Sequence, residues 1–379
     1  MLNYKKSKRA KLKRKGHFSW RLDKDERKRH KEDKLIKQRE QFMKQKSSSE
    51  VGAETEAEEV PSTAFEGKVL RTVTVALPGS ILDNAQSAEL RTYLAGQIAR
   101  AAAIYRIDEV VVFDEFARLT TSEVEQFHGG DLWTSPKAKQ KPNCNFSLAR
   151  ILQFLECPQY LRKRLFPMQA ELRYAGLLNP LDCPHHLRSD DTSILFREAV
   201  VLAKPAKEGK GSYCDAGLTK DVQVDRQLQP GLRVTVRLRS ATTEKRHLRG
   251  LVVGPSRPRL ESDLYWGYSV RVAKSLSAVF DECPYEDGYD LTVGTSERGQ
   301  PLDAVAELPD FRHALVVLGG LKGLESCLEN DESRSESYPA QLFQFYLNSC
   351  PSQGSRTIRT EEALLITLSA LEGKWSRNG

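Results

Sequence analysis

Apolar and β-branched residues recur along the chain with two different periods. The run 71–77 (RTVTVAL) is typical of a strand that ends at a Pro-Gly loop. The continuous apolar run 109–114 (EVVVFD) is typical of a strand buried on both faces of a parallel sheet. Between them, Leu90, Leu94 and Ile98 are spaced four apart, which predicts a helix with one buried face. This order predicts a βαβ unit of an α/β domain.

The next stretch combines an irregular segment with a second helix. Residues 117–145 are polar and show no period, so they predict a flexible loop. A helix is predicted to start at Ser147 and to be interrupted at Pro158, because proline removes a backbone donor and clashes with the preceding turn. Its apolar positions are Leu148, Ile151, Leu152 and Leu155.

Between about 197 and 272 the pattern changes to short β-type runs that Gly and Pro separate. Many short strands at this spacing are typical of a small β-barrel. The predicted strands are 199–203, 222–224, 232–238, 251–253 and 268–272. We therefore expect residues 197–272 to form an OB-like β-barrel inserted into the α/β domain.

The α/β pattern returns at Leu276. The predicted segments are the strands 289–293, 314–318 and 342–347, followed by the helix 363–371. Glu361 and Glu362 precede this last helix, where carboxylates suit the helix dipole. The predicted fold class is α/β, with one discontinuous domain formed by residues 68–196 and 273–374 around the barrel.

Charge is distributed unevenly along the chain. The net charge is +7, yet residues 1–46 hold 19 Lys or Arg against 6 Asp or Glu, so this tail carries all of the positive excess. Residues 47–59 are small, polar and acidic, and residues 1–60 are therefore predicted to be a disordered basic tail and acidic linker. Such a basic run is either a nuclear-localisation or nucleic-acid patch, or a solvated arm.

The cysteines and the hydropathy restrict the compartment in which the protein works. The seven cysteines contain no C-x-x-C pair, which indicates reduced thiols in a cytosolic or nuclear protein and no structural zinc site. Cys183 lies beside His185 and His186, but adjacent residues on an extended chain point apart, so no metal is expected there. No apolar run approaches the ~20 residues of a membrane helix, so no membrane contact is expected.

The barrel segment contains the densest basic stretch outside the tail. Arg233, Arg237 and Arg239 alternate with apolar residues, so on a strand the arginines share one face, and Arg271 follows later. Three aromatic residues lie among these charges, namely Tyr265, Trp266 and Tyr268. Basic residues interleaved with aromatics are typical of surfaces that hold phosphates and stack bases, which makes the four arginines candidate RNA contacts. The alternative is a barrel core with a solvated charged face.

Two turns end predicted parallel strands, where open α/β sheets place their ligands. Gly319 and Gly320 follow the strand 314–318 and allow a ligand to lie against bare backbone. The turn 348–359 is richer in polar groups and has free backbone N–H donors near a helix start. The chain has no Walker A motif, no G-x-S-x-G and no H-E-x-x-H, so hydrolase and kinase functions have no motif to support them.

Eight long stretches carry a family resemblance and together span nearly all of residues 70–371. They are ALPGSILDNAQ (76–86), RTYLAGQIARA (91–101), LECPQYLRK (155–163), AGLLNPLD (175–182), LYWGY (264–268), DGYDLTVGTSERG (287–299), FRHALVVLGGL (311–321) and GSRTIRTEEA (354–363). These stretches resemble the SPOUT class of RNA methyltransferases, especially its animal members associated with the mitotic spindle and kinetochore.

The resemblance implies a C-terminal trefoil knot whose loops bind S-adenosylmethionine, and a homodimer formed by two packed knots. By matching position, it implies cofactor contacts at Arg298, Gly319, Gly320, Asn348, Thr357, Ile358 and Thr360. Arg298 is also the expected catalytic residue, because a cation would stabilise the anion of a deprotonated uridine. The alternative for Arg298 is a structural salt bridge across the knot or the dimer interface.

The function expected from the resemblance is S-adenosylmethionine-dependent methylation of a uridine-type base in ribosomal or other structured RNA. The expected location is the nucleus, with the cytoplasm and the mitotic spindle or kinetochore left open. The alternative is a non-catalytic knotted-dimer adaptor that binds RNA or spindle and centromere partners. The intact Gly319, Gly320 and Asn348 favour the enzyme.

Overall fold

The computed structural model describes residues 70–130, 143–206, 210–239, 248–333 and 338–375, so the predicted tail and linker at 1–60 lie outside the described residues. Its strands are β1 Thr72–Pro78, β2 Glu109–Phe113, β3 Phe196–Val201, β4 Tyr213–Asp215, β5 Val222–Gln223, β6 Arg233–Leu238, β7 Leu248–Val253, β8 Ser269–Ala273, β9 Leu291–Pro301, β10 His313–Leu318 and β11 Phe345–Asn348. Its α-helices are α1 Ala88–Ile104, α2 Thr121–Gly129, α3 Cys144–Glu156, α4 Gln159–Leu165, α5 Arg257–Ser262, α6 Leu276–Asp281, α7 Gly323–Glu329, α8 Pro339–Leu342 and α9 Thr360–Glu372. Over the described ranges, no helix has both the length and the apolar character needed to cross a membrane.

Six strands form one parallel sheet in the order β11-β9-β10-β1-β2-β8, which confirms the predicted α/β class. β1 and β2 are buried at every position, as expected of central strands covered on both faces. Since all six strands run the same way, their carboxyl ends lie at one edge of the sheet. The turns that follow β9, β10 and β11 therefore come together there.

The pairing of β9 with β11 contains a shift. Tyr346 pairs with Gly294, but the next residue, Leu347, pairs with Gln300. Residues 295–299 of β9 are thus skipped by β11, and we call them the skipped segment. Where pairing resumes, Gly299 approaches β11 so closely that a Cβ on it would overlap the backbone of Leu347.

The other described strands close a five-stranded barrel in the order β3-β4-β5-β7-β6, as the short β-type runs predict. Neighbouring strands are antiparallel except β5 and β7, which are parallel. The barrel core includes Cys214, Val222 and Val236. The sequence does not predict β4, because its residues Tyr213, Cys214 and Asp215 include no β-branched side chain.

Two segments between β1 and β9 differ from the sequence prediction. The run 268–272, predicted as a barrel strand, corresponds to β8 and pairs with β2 at the edge of the parallel sheet. The segment 117–145, predicted as a loop, contains α2. That helix begins with a capping box, in which Thr120 and Glu123 each accept a hydrogen bond from the other's backbone N–H. The local polar bonds stabilise a short helix that a search for apolar periodicity does not detect.

Some element boundaries and buried positions also differ from those predicted from the sequence. Leu94 and Ile98 are buried in α1 as predicted, but Leu90 is 52% exposed. α3 begins at Cys144, three residues before the predicted start, and ends before Pro158 as predicted. The predicted strand 342–347 begins later, at β11, because α8 occupies its first position.

A buried ionic cluster connects α3 to the barrel. The carboxylate of Glu156, the last residue of α3, accepts hydrogen bonds from Arg233 Nη1 and Nη2 at 2.7 and 3.0 Å. Arg233 Nε donates to Glu198 on β3 at 2.6 Å. The second oxygen of Glu198 accepts from Trp266 Nε1 at 2.8 Å. Burial by itself would raise the pKa of Glu156. The charge and hydrogen bonds of Arg233, together with the hydrogen bond and charge of His185, outweigh the burial and hold this pKa well below its usual range.

We expect Arg233→Ala to lower the free energy of unfolding by roughly 3 kcal/mol at neutral pH, because two buried carboxylates lose their cation. The pKa of Glu156 is lowered in the folded state, so its contribution is present above the unfolded pKa and lost in acid. The difference from wild type should therefore shrink as the pH falls below about 4. Denaturant unfolding at several pH values measures both effects.

The matched control is Arg239→Ala, which removes an exposed arginine just beyond the same strand. Its stability should stay within about 0.5 kcal/mol of wild type. If Arg233→Ala were as stable as this control, the ionic cluster would not hold α3 to the barrel.

Candidate cofactor and RNA site

Segments that follow three parallel strands meet in one cleft of about 750 Å³. One wall comes from the skipped segment of β9, the second from the turn 318–323 after β10, and the third from residues 348–360 after β11. Asn84, Leu94, Glu325 and, on α9, Glu361, Ala363 and Thr367 also line it. A cleft of this volume accommodates a cofactor-sized ligand.

Polar side chains fix the shape of the two turns. Thr360 Oγ1 donates a hydrogen bond to the carbonyl oxygen of Gly319 at 3.0 Å, which ties the two turns to each other. Asn348 Nδ2 donates to the carbonyl oxygen of Glu297 at 2.9 Å. Asn348 Oδ1 accepts from the backbone N–H of Cys350, also at 2.9 Å. The cleft is thus held in shape by the same residues that line it.

The turn after β10 requires glycine at two successive positions. A Cβ on Gly319 would lie 2.8 Å from backbone atoms of Gly323 and Leu324. A Cβ on Gly320 would overlap Oε2 of Glu115. Glu115 is buried, and burial raises its pKa. The two glycines therefore leave uncovered backbone along the cleft.

Arg298 belongs to the skipped segment, lines the cleft and forms an ion pair there. Its Nη1 lies 3.3 Å from Oε1 of Glu325, in the first turn of α7. The hydroxyl of Tyr346 donates to the same oxygen at 3.3 Å. Burial raises the pKa of Tyr346, so the phenol stays protonated as a donor. The Arg298 side chain is 72% exposed, so this pair adds little stability and the guanidinium can reorient toward a ligand.

The structure brings all of the predicted cofactor residues together. Arg298, Gly319, Gly320, Asn348, Thr357, Ile358 and Thr360 all line this cleft. They come from three separate segments of the chain, so their convergence is a property of the fold. The ion pair that Arg298 forms lies inside the cleft and within one chain.

A family model described as "Putative RNA methyltransferase" matches residues 72–371. The chain belongs to this family. The match extends over both the parallel sheet and the barrel, and it confirms the resemblance inferred from the eight stretches. A non-catalytic adaptor is not favoured by this match.

Relatives from three animals bear the same name, 28S rRNA (uridine-N(3))-methyltransferase. The Mus musculus protein is 56% identical over 302 residues, which cover 79% of this chain and 76% of the mouse protein. The Homo sapiens protein is 52% identical over 330 residues, covering 87% and 85%. The Drosophila melanogaster protein is 48% identical over 364 residues, covering 94% and 73%.

The arginines predicted to contact RNA do not form one open face. Arg233 and Arg237 do share a face of β6, as the alternation predicts, but acidic side chains already occupy that face. Arg233 is bound between Glu156 and Glu198, and Arg237 Nε lies 3.4 Å from Oε2 of Glu261. The expectation of free cations at these two positions is corrected, because their charges are compensated within the protein.

Arg271 and Arg239 have contrasting environments. Arg271 lies on β8, where its Nε donates to Oε1 of Glu109 at 2.9 Å and its Nη2 donates to the hydroxyl of Tyr289 at 3.2 Å. Its predicted role on a barrel face is therefore corrected to a partner of a buried carboxylate in the sheet. Of the four arginines predicted to contact RNA, Arg239 alone is exposed.

The aromatic residues near these charges belong to the interior. Tyr265, Trp266 and Tyr268 are only 5–8% exposed. Trp266 Nε1 donates to Glu198, and the Tyr268 hydroxyl donates to the backbone oxygen of Leu152 at 3.1 Å. The prediction that these rings stack on bases is wrong, because burial leaves no ring face open to a nucleotide.

Cys183, His185 and His186 do come together, contrary to the prediction that the two imidazoles point apart. The chain turns here, since the N–H of His186 donates to the carbonyl of Cys183, and the two imidazole centroids are 4.4 Å apart. Nε2 of both histidines lies within 3.0 Å of the carbonyl oxygen of Glu156. The histidines thus bind the C-terminal end of α3.

Glu325 and Tyr346 carry no sequence pattern that marks them as site residues. A carboxylate in the first turn of a helix is ordinary, so Glu325 carries no signal by itself. Its position directly after the glycine turn was the available signal, because that turn was already a candidate ligand site. Only the fold places Glu325 against Arg298, 27 positions earlier in the chain.

Proposed function

We propose that this chain transfers a methyl group from S-adenosylmethionine to N3 of a uridine in 28S-type ribosomal RNA. The observation that carries the proposal is the cleft in which all seven expected cofactor residues meet beside the Arg298–Glu325 pair. The mouse, human and fly relatives are named for this reaction, and the cleft offers the cation that a uracil anion requires.

The residues present fit S-adenosylmethionine. Gly319 and Gly320 leave bare backbone in the turn after β10, where a Cβ would clash with Gly323 and Leu324 or with Glu115, and the turn 357–360 adds peptide groups to the cleft lining. When bound, this cofactor supplies an electrophilic methyl group on a sulfonium. The protein's own task is to hold the base in line with that methyl group and to exclude water.

Arg298 is proposed as the catalytic residue. Loss of the N3 proton leaves negative charge on the uracil ring and its two carbonyl oxygens. An exposed guanidinium on the cleft wall can donate to such an oxygen and stabilise the charge as it develops. Its present partner, Glu325, holds it in the cleft until a base arrives.

The SPOUT resemblance further leads us to propose a trefoil knot formed by the chain around β9 and a homodimer. Leu90 and Tyr93 on α1 are 52% and 57% exposed, and Leu365 on α9 is 44% exposed. α1 and α9 pack against each other, so these apolar side chains belong to neighbouring helices. A second copy of the chain is the proposed cover for them.

RNA phosphates are proposed to contact Arg239 and the basic residues 1–46, which carry the positive excess of the chain. Arg356 and Arg359 are exposed on the turn after β11 and place further positive charge near the cleft. A nuclear location fits a ribosomal RNA substrate. Association with the spindle or kinetochore stays a prediction from the resemblance.

Gly319→Ala should weaken S-adenosylmethionine binding by at least roughly tenfold, because the new methyl group forces the turn after β10 to move. Isothermal titration calorimetry measures the affinity. Gly373→Ala is the matched control, since a Cβ there meets open space outside the cleft and should leave the affinity unchanged. Equal affinities for the two variants would place the cofactor elsewhere.

Arg298→Ala should lower the single-turnover methylation rate by roughly 100-fold or more, while RNA affinity changes little. Filter binding and incorporation of labelled methyl groups measure the two quantities. Arg312→Ala removes another exposed, ion-paired arginine outside the cleft and should behave as wild type in both. A folded Arg298→Ala protein that methylates at the wild-type rate would rule out the catalytic role.

Leu90→Glu should convert the dimer to a monomer, because it places a charge in the proposed apolar contact. Sedimentation velocity measures the oligomeric state. Ile104→Glu is the control, since Ile104 is equally exposed at the other end of α1. A monomeric wild-type protein, or a dimer that both substitutions leave intact, would contradict the proposed interface.

A further inference from the structure

Glu325 stands in the cleft beside the proposed catalytic residue. It follows the glycine turn by two residues and lines the cleft together with Arg298. Its side chain is 26% exposed, so it is accessible to a ligand. The base-methylation reaction proposed above leaves this carboxylate without a role other than pairing with Arg298.

The two oxygens of the Glu325 carboxylate have different environments. Oε1 accepts hydrogen bonds from both Arg298 and Tyr346 at 3.3 Å. Oε2 lies over Gly323, 2.6 Å from the place where a Cβ of that residue would be. None of the hydrogen bonds formed among the described residues uses Oε2. One oxygen is therefore fixed by two donors, while the other keeps its acceptor capacity for a ligand.

Uracil requires this combination of groups at its N3 edge. N3 carries a proton at neutral pH and is flanked by two carbonyl oxygens. A group that engages this edge must accept a hydrogen bond from N3–H and donate one to an adjacent carbonyl oxygen. Oε2 of Glu325 supplies the acceptor and the guanidinium of Arg298 supplies the donor. The ion pair between Arg298 Nη1 and Glu325 Oε1, 3.3 Å apart, keeps the two groups side by side. Cytosine has an unprotonated N3, which a carboxylate would repel, so the same pair distinguishes uridine from cytidine.

We propose that Glu325 accepts the N3–H hydrogen bond of the target uridine and takes that proton as the methyl group is transferred. The electron pair of the N3–H bond becomes the new N3–C bond. The carbon–sulfur bond breaks, and its electron pair stays on sulfur. The proton moves to Oε2 of Glu325 and then to solvent, while Arg298 stabilises the charge on the adjacent carbonyl oxygen. This inference rests on the proposed uridine-N3 methylation.

The first test is Glu325→Gln, which keeps the size of the side chain but removes its basicity. In single-turnover assays at neutral pH, we expect the methylation rate to fall by roughly 100- to 10,000-fold. Affinity for S-adenosylmethionine, measured by calorimetry, should stay within about twofold because the residue acts on the base. Glu329→Gln, one turn later on α7 and outside the cleft, is the matched control and should behave as wild type.

Rescue of the methylation rate in Glu325→Gln distinguishes a role of Glu325 as proton acceptor from a structural role. Without Glu325 the reaction depends on ionisation of N3 in solvent, so the rate of Glu325→Gln should rise tenfold per pH unit until N3 ionises. Fluorine at C5 makes N3–H more acidic. An RNA with 5-fluorouridine at the target position should therefore restore much of the lost rate in the variant and little in wild type. A loss of methylation rate that neither higher pH nor 5-fluorouridine reverses would overturn the proposal.

Binding without cofactor provides a readout that does not depend on turnover. Wild-type protein should prefer target RNA with uridine over the same RNA with cytidine at the target position by roughly tenfold, the effect of one hydrogen bond to a charged group. Glu325→Ala should abolish this preference. An unchanged preference in that variant would overturn the proposal, because another group would then recognise N3–H.

The outcomes distinguish this inference from the function on which it rests. If wild-type protein neither binds S-adenosylmethionine nor methylates uridine in ribosomal RNA, the proposed function fails. If wild type does both and Glu325→Gln matches it at neutral pH, only the role of Glu325 fails. If Glu325→Gln loses cofactor affinity while its uridine preference persists, Glu325 belongs to the cofactor site and the proposal is overturned.

Discussion

The shift in pairing between β9 and β11 is the constraint on which the cleft depends. A regular parallel pairing would cover residues 295–299 with β11, whereas the shift leaves them on a wall of the cleft. The close approach of Gly299 to Leu347 lets pairing resume beyond the skipped segment. Because β10 also borders β9, the turns after all three strands reach the same edge, and the Thr360–Gly319 hydrogen bond joins them. The cleft is thus assembled from distant parts of the chain.

The contact between the barrel and α3 includes a second set of interactions, which are ionic. Glu156 and Glu198 hold Arg233 between α3 and the barrel, and Trp266 closes the cluster. Buried carboxylates of this kind require their cation, so Arg233 and Arg271, which look like RNA contacts in the sequence, serve the interior instead. Positive charge for RNA then has to come from exposed positions. This division keeps the barrel fixed to α3 while the exposed cations remain available to phosphate.

Much of the fold follows from local sequence patterns. β1, β2 and β10 are predicted because long β-branched runs suit a strand covered on both faces, and α3 ends before Pro158 because proline cannot continue a helix. The two wrong predictions, a loop at 117–145 and a barrel strand at 268–272, also have local causes. α2 is short and held by a capping box, so it lacks apolar periodicity. The run 268–272 has β character, but nothing in it specifies which sheet it joins.

The sequence by itself determined the α/β class, the barrel, the glycine turns and the family, because each depends on short patterns or on long stretches of similarity. Only the tertiary structure decided which charges are paired. Glu156 and Arg233 are 77 positions apart, and Arg271 and Glu109 are 162 apart. Glu325 likewise becomes significant only where β9 brings Arg298 to it. The physical reason is that a charged side chain looks the same in sequence whether its partner is water, a buried carboxylate or a substrate, and only the folded chain selects among them.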